Sequence, residues 1–270
     1  MTNALRPLSV GELLDRTFFL YRRHFLLFVG ISALPSLVML AFGLFTALLG
    51  SEGSAFFASV SAVALVFVYL VTTAVSQGAT VVAVSQILLE RETDVEAAFG
   101  AIWPRLGELL FITLNMGIRI LIGFLLCFVP GVVLALMYAL AMPVAVLEDR
   151  RSSDALSRST DLTKGYRGRI LLIYLLLTIL ITIVTMLWQI PATIVVALVS
   201  GSARTGRFPL WAQIGFQFGG FVTRSVLGPI MTIAIALVYY DVRVRKEAFD
   251  LEHMMQQIDR PSFAAPPATS

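Results

Sequence analysis

The chain has 270 residues, 58% of them hydrophobic and 14% charged, whereas a soluble domain averages roughly 45–50% apolar and about 25% charged. With a mean hydropathy of +0.86, so few charges could not cover the apolar surface of a water-soluble fold, and lipid is the expected solvent. The net charge of +3 is better explained by Lys and Arg gathered on cytoplasmic loops against anionic headgroups than by nucleic acid, which is not an expected partner.

The first element is an amphipathic helix over residues 9–23. Ser9 and Glu12 have capping-box spacing, and Leu8 with Leu13 has that of a hydrophobic staple. Val10, Leu13, Leu14, Thr17, Phe18 and Tyr21 recur on one face, opposite Glu12, Asp15, Arg16 and Arg23. Such a helix is expected to lie in the headgroup region. The first span follows at 25–49 and contains Pro35. It has no cleavable-signal character, since it is too long for an h-region and follows a charged helix. A turn at 50–54 leads to a second span whose helical pattern holds to Glu90, long enough to require tilt, a kink near Gly78 or a cytoplasmic extension.

A second short helix over 93–103 begins at Thr93, with Glu96 completing a capping box, and ends at Pro104. The third span covers 106–128. Pro130-Gly131 is read as a tight turn into a fourth span at 132–147. A charged stretch, Glu148 to Arg169, holds a third short helix that starts at Ser152 or Ser153 and is closed by Gly165. The fifth span covers 170–199, with Pro191, and the sixth 216–240, its helix continuing beyond. One membrane domain therefore occupies 1–258, and 259–270 reads as a disordered tail.

The expected fold is all-α: a polytopic membrane protein of six transmembrane helices with short cytoplasmic amphipathic helices. Ser9, Thr93 and Ser153 each precede an apolar span by about one short helix. Two readings fit this: three pseudo-repeated hairpins, or hairpins whose capped lead-in helices arose separately. With six spans, sixteen of the twenty Lys and Arg residues fall on one side, in the segments before residue 24, around Arg91 and Arg105, from Arg150 to Arg169, and from Arg243 onward. Only Arg204 and Arg207 fall on the other, so both termini are expected in the cytoplasm. Five or seven spans would scatter these charges over both faces.

Two intramembrane cations remain, Arg119 and Arg224. Arg224 lies near the outer end of its span, where it is expected to snorkel. A charge at Arg119 costs roughly 2.5–3.5 kcal/mol on insertion scales, which points to a cavity. Glu108, Asn115 and Arg119 share one face of the third span. The fifth span offers Thr178, Thr182, Thr185 and Gln189, and the second Thr73, Gln77 and Thr80. The candidate site is a polar cavity marked by Glu108, Asn115, Arg119 and Gln189. The competing reading is that these groups only hold the bundle together, with threonine hydroxyls bonded to their own helices.

Catalysis has no visible machinery: no GxSxG, HExxH or P-loop, and no spanning histidine to activate a serine. One cysteine, Cys127, and two distant histidines, His24 and His253, give no expectation of a disulfide, metal or cofactor. Glu148, Arg150, Arg151 and Arg158 read as a solvated cytoplasmic cluster, and Trp103, Trp188 and Trp211 as interfacial anchors.

Three stretches, LRPLSVGELLDRTFFLYRRHF, PVAVLEDRRSSDALSRSTDLTKGYRGRILLI and GPIMTIAIALVYYDVRVRKEAFDLE, resemble the bacterial glycerophosphoryl diester phosphodiesterase membrane-domain family over nearly the whole chain. That family is named for copies fused to a metal-dependent barrel, which has no counterpart here. The resemblance therefore implies a stand-alone membrane module. It implies no phosphodiesterase activity and carries over no functional residue. The expected function is an accessory module that docks membrane lipid or an unknown protein partner at its basic cytoplasmic face. The alternative is a transporter or channel for a polar or anionic molecule passing Arg119.

Overall fold

The computed structural model describes residues 8–49, 55–201 and 208–258. The turn at 50–54, the predicted tail 259–270, and Arg6, Arg204, Arg207 and Arg260 lie outside the described residues. Everything regular among the described residues is helical, and six runs are long and apolar enough to cross a membrane. The protein is an all-α, multi-pass membrane protein.

Helix α1 (Val10–Arg23) starts at the expected capping box: Glu12 N donates to Ser9 Oγ at 3.2 Å and Ser9 N to the Glu12 carboxylate at 2.7 Å. It breaks at His24 before α2 (Phe25–Leu49). α3 (Ala55–Leu88) is about 51 Å long, far beyond a core of about 30 Å. It ends where Glu90 takes a φ of 57°. α4 (Val95–Ile102) is capped by Asp94, whose carboxylate accepts from Ala97 N at 2.7 Å. Thr93 is therefore not the cap, because the carboxylate one residue later is the stronger acceptor for the free N–H groups. A single 3₁₀ turn at Trp103–Arg105 joins α4 to α5 (Leu106–Leu126).

The hairpin between the third and fourth spans turns at Cys127, extended at φ −172°, and not at Pro130-Gly131. Proline lacks an N–H and is readily accommodated in a first helical turn, where that N–H has no partner to lose, so Pro130 sits inside α6 (Phe128–Met137). The fourth span then breaks at residues 138–140 before α7 (Ala141–Leu147). Helix α8 (Ser152–Thr163) supplies what the break exposes: Ser159 Oγ accepts from Leu140 N at 3.2 Å and donates to Met137 O at 2.8 Å. Its N-cap position is Arg151 without a side-chain cap, and Gly165, at φ 89°, follows its end as expected. α9 (Arg167–Ser200) carries Pro191 and stops at left-handed Gly201.

The last helix, α10 (Leu210–Ile258), spans about 74 Å and must project from the bilayer. It packs most extensively on α2, and α1 runs along it. Leu8 N donates to Asp241 Oδ1 at 2.8 Å, and Tyr21 Oη donates to Val226 O at 2.6 Å, about four turns away along α10. α1 thus lies along the last helix rather than flat across the headgroups. The Tyr21 contact meets a carbonyl in the turn loosened by Pro229. Burial there pushes the Tyr21 phenol pKa up.

Three lead-in helices each precede a hairpin, as the pseudo-repeat requires. α1 to α2 and α8 to α9 are offset by the same length (Val10 to Phe25, Ser152 to Arg167). α4 to α5 (Val95 to Leu106) is about one turn shorter and has no break. Burial is uneven along the spans. The core gathers toward one end of the spans, drawing on α1, α4, α8 and the later part of α10, around Leu13, Phe28, Ile31, Leu109, Leu140, Leu162, Ile173 and Tyr239. The other halves of the spans present Phe67, Leu125, Leu187, Leu198 and Val222 outward, toward lipid.

Trp188 packs between two helices. Its ring lies on Gly219 of α10, where an added Cβ would stand 2.2 Å from the ring, and its indole N–H is buried without a partner among the described residues. Gly219→Ala should push the ring off α10 and lower stability by about 1–3 kcal/mol. Thermal unfolding in detergent checks this, and an unchanged midpoint would show that the ring moves freely.

Candidate functional site

The four residues proposed for a polar cavity do not meet in one enclosure. Glu108 lies half-buried in the first turn of α5, with Asn115 and Arg119 further along the helix. Arg119 is exposed; its Nη1 donates to Tyr138 Oη at 3.2 Å, and its guanidinium lies 5.9 Å from that ring's centre. The groove beside it is lined by Phe111, Leu114, Asn115, Ile118 and Arg119, all from α5. Gln189 is exposed on α9, whose main neighbour is α10. Thr80 and Thr185 donate to Ser76 O and Ile181 O, each at 2.7 Å, so these hydroxyls serve their own helices.

The densest polar chemistry lies elsewhere, around two buried carboxylates. Asp241 on α10 has a side chain 1% exposed. It receives Leu8 N, Arg245 Nε at 3.0 Å and Arg169 Nη2 at 3.2 Å. The same two guanidiniums donate to Leu8 O, so the residue ahead of α1 is clamped through both its backbone groups. Glu148, at the end of α7, is 9% exposed and holds Arg150 at 3.0 Å, Arg158 at 3.2 Å and the Tyr239 hydroxyl at 3.1 Å. Arg158 continues to Glu247 at 2.8 Å, and Glu247 to Arg243 at 2.8 Å. Lys246 donates to Asp161 O on α8.

Glu148, Arg150 and Arg158 therefore form a cluster that ties α7, α8 and α10 together, in place of the solvated face expected. Burial of the Glu148 carboxylate strengthens its pairs and would make it costly to leave unpaired, while Arg150, 47% exposed, is screened by solvent. The sequence placed Asp241 and Arg245 on the continuation of the sixth helix, with Arg245 counted only among the cations of one face. Their i, i+4 spacing, with Arg243 and Glu247 at the same spacing, was the available signal.

A different set of cations has no protein anion. Arg22, Arg23, Arg91, Arg151 and Lys164 are exposed and form no ion pair among the described residues. Arg22 and Arg23 close α1 beside exposed Phe19, Phe25 and Leu26. Next to them, burial and then the charge of Arg23 lower the His24 pKa, favouring the neutral imidazole.

A cavity of about 260 Å³ opens among the ends of α3, α4, α5 and α7, with Ser85, Gln86 and Arg105 on its polar side. Among the described residues no group of three His, Cys, Asp or Glu side chains is placed to hold a metal ion. No protein-family model matches the chain, and no curated protein or solved structure matches it.

Proposed function

We propose that the chain is a non-catalytic module of a bacterial plasma membrane, both ends in the cytoplasm, that docks anionic lipid headgroups on its basic face. The observation that carries this is the division of its cations. Arg150, Arg158, Arg169, Arg243 and Arg245 are taken up by Glu148, Asp241 and Glu247, whereas Arg22, Arg23, Arg91, Arg151 and Lys164 are unpaired among the described residues and exposed. Arg22 and Arg23 are flanked by exposed Phe19 and Leu26. Bulky apolar groups beside free guanidiniums suit the boundary between acyl chains and phosphates. The resemblance to the phosphodiesterase-associated membrane domains supports only the membrane-module part of this reading.

Each cation near an anionic surface contributes about 1 kcal/mol. Arg22→Gln with Arg23→Gln should therefore reduce retained phosphatidylglycerol roughly tenfold or more, read by native mass spectrometry from mild detergent against phosphatidylcholine. Equal retention of both lipids by the wild type would end the proposal. Reporters fused at residues 1 and 270 test the orientation. The second reading, a carrier or channel, would run its path past Arg119. The groove there is lined by one helix only, which favours docking over conduction.

A further inference from the structure

We infer that the cavity behind Arg105 is a binding site for a phosphate monoester head, held by Arg105, Gln86 and Ser85, with Asp149 as a displaceable stand-in for the ligand. The inference goes beyond the docking surface, because it concerns a half-open recess on other helices and does not use Arg22 or Arg23.

The pocket is amphiphilic. Ile102, Leu109 and Val146 supply apolar wall; Ser85, Gln86 and Arg105 supply donors. Ser85 Oγ accepts from Tyr240 Oη at 3.1 Å, which leaves its own proton free to donate. The Gln86 amide has no hydrogen-bond partner among the described residues. Arg105 Nη1 lies 2.9 Å from Asp149 Oδ1, and both side chains are well exposed, at 41% and 71%. An exposed pair of this kind is worth roughly 0.2–1 kcal/mol, so an incoming dianion can displace the carboxylate.

At about 260 Å³ the volume falls just under the usual range for small-molecule pockets, which start near 300 Å³. It suits a phosphate with a few carbons and excludes two acyl chains, which would have to emerge from the mouth. Trp103, 71% exposed and next but one to Arg105 in sequence, is the residue type that marks headgroup depth. The head could thus arrive on a lipid or free in solution; the recognition chemistry is shared.

The test uses the full chain in detergent, titrated with dihexanoyl phosphatidic acid, inorganic phosphate and dihexanoyl phosphatidylcholine. Variants are Arg105→Gln, Asp149→Asn and Ala101→Trp, the last filling the pocket should loss of Arg105 impair folding. Phosphatidic acid should bind the wild type and lose about tenfold or more with Arg105→Gln and with Ala101→Trp. Asp149→Asn should tighten binding about two- to fivefold, because it frees the guanidinium. That opposite sign separates a ligand site from a merely structural ion pair. Binding of inorganic phosphate with the same Arg105 dependence supports the site with a free anion as its ligand; binding of phosphatidic acid alone supports it with a lipid.

The inference is overturned if neither phosphate binds, if phosphatidylcholine binds equally, or if Asp149→Asn weakens binding together with Arg105→Gln. Loss on Arg22→Gln with Arg23→Gln, with Arg105→Gln and Ala101→Trp silent, also overturns it and leaves the docking surface standing.

Discussion

Asp241→Ala is expected to lower the stability of the bundle by about 3 kcal/mol, more than a hundredfold in the folded-to-unfolded ratio. Removing the carboxylate leaves Arg169 and Arg245, 18% and 23% exposed, facing each other without an anion, and strips Leu8 N of its acceptor. Breaking a buried ion pair costs roughly 3–5 kcal/mol; the residual access of both guanidiniums to water places this case at the low end. Asp241→Asn keeps an acceptor for Leu8 N but not the charge, and should fall between wild type and Ala. Thermal unfolding followed by size-exclusion chromatography in detergent measures the order. Because the clamp holds the start of α1, limited proteolysis near Leu8 should accelerate in parallel. A midpoint for Asp241→Ala equal to wild type would show that the network contributes nothing.

Gly123→Leu should cost a similar amount by a different route. An added Cβ at Gly123 would lie 3.0 Å from Gly131 Cα and 3.1 Å from Gly131 N, so it meets backbone, which cannot swing aside. α5 and α6 must then separate, and overpacking of this kind costs about 1–3 kcal/mol, with Leu at the upper end. Gly131→Ala is the contrasting case. Its Cβ would come within 2.4 Å of the Phe124 ring, a side chain 40% exposed that can rotate toward lipid, so a loss of about 1 kcal/mol is expected. Unfolding midpoints should rank wild type, Gly131→Ala, Gly123→Leu in descending order. The reverse ranking of the two glycines would mean that the hairpin does not pack backbone against backbone at Gly123.

The number of spans, the all-helical class and the capping box at Ser9 were legible from residue order because they depend on local quantities. A helix in lipid needs about twenty apolar residues and its own backbone hydrogen bonds, nothing from its neighbours. Gly165 at the end of α8 was legible for the same reason: its φ of 89° is a local demand. Errors came where two local signals competed, as with Asp94 over Thr93, or where a proline was read as a turn when the first turn of a helix also accommodates it.

Residue order could not reveal partners across the bundle. Helical periodicity put Glu108, Asn115 and Arg119 on one face of α5, but only packing decided that Arg119 stands exposed beside a groove lined by α5 alone and that Gln189 lies on a helix packed against α10. Asp241 and Glu148 looked like two charges among many. Their burial follows from α1, α7, α8, α9 and α10 meeting at one end of the molecule, where Asp241 receives Arg169 from a distant part of the chain and Glu148 receives the Tyr239 hydroxyl of α10. Composition and periodicity thus determined the solvent, the helices and their number. Tertiary structure alone decided which charges are paired inside and which remain exposed, because desolvation and Coulomb attraction depend on neighbours in space and not on neighbours in sequence.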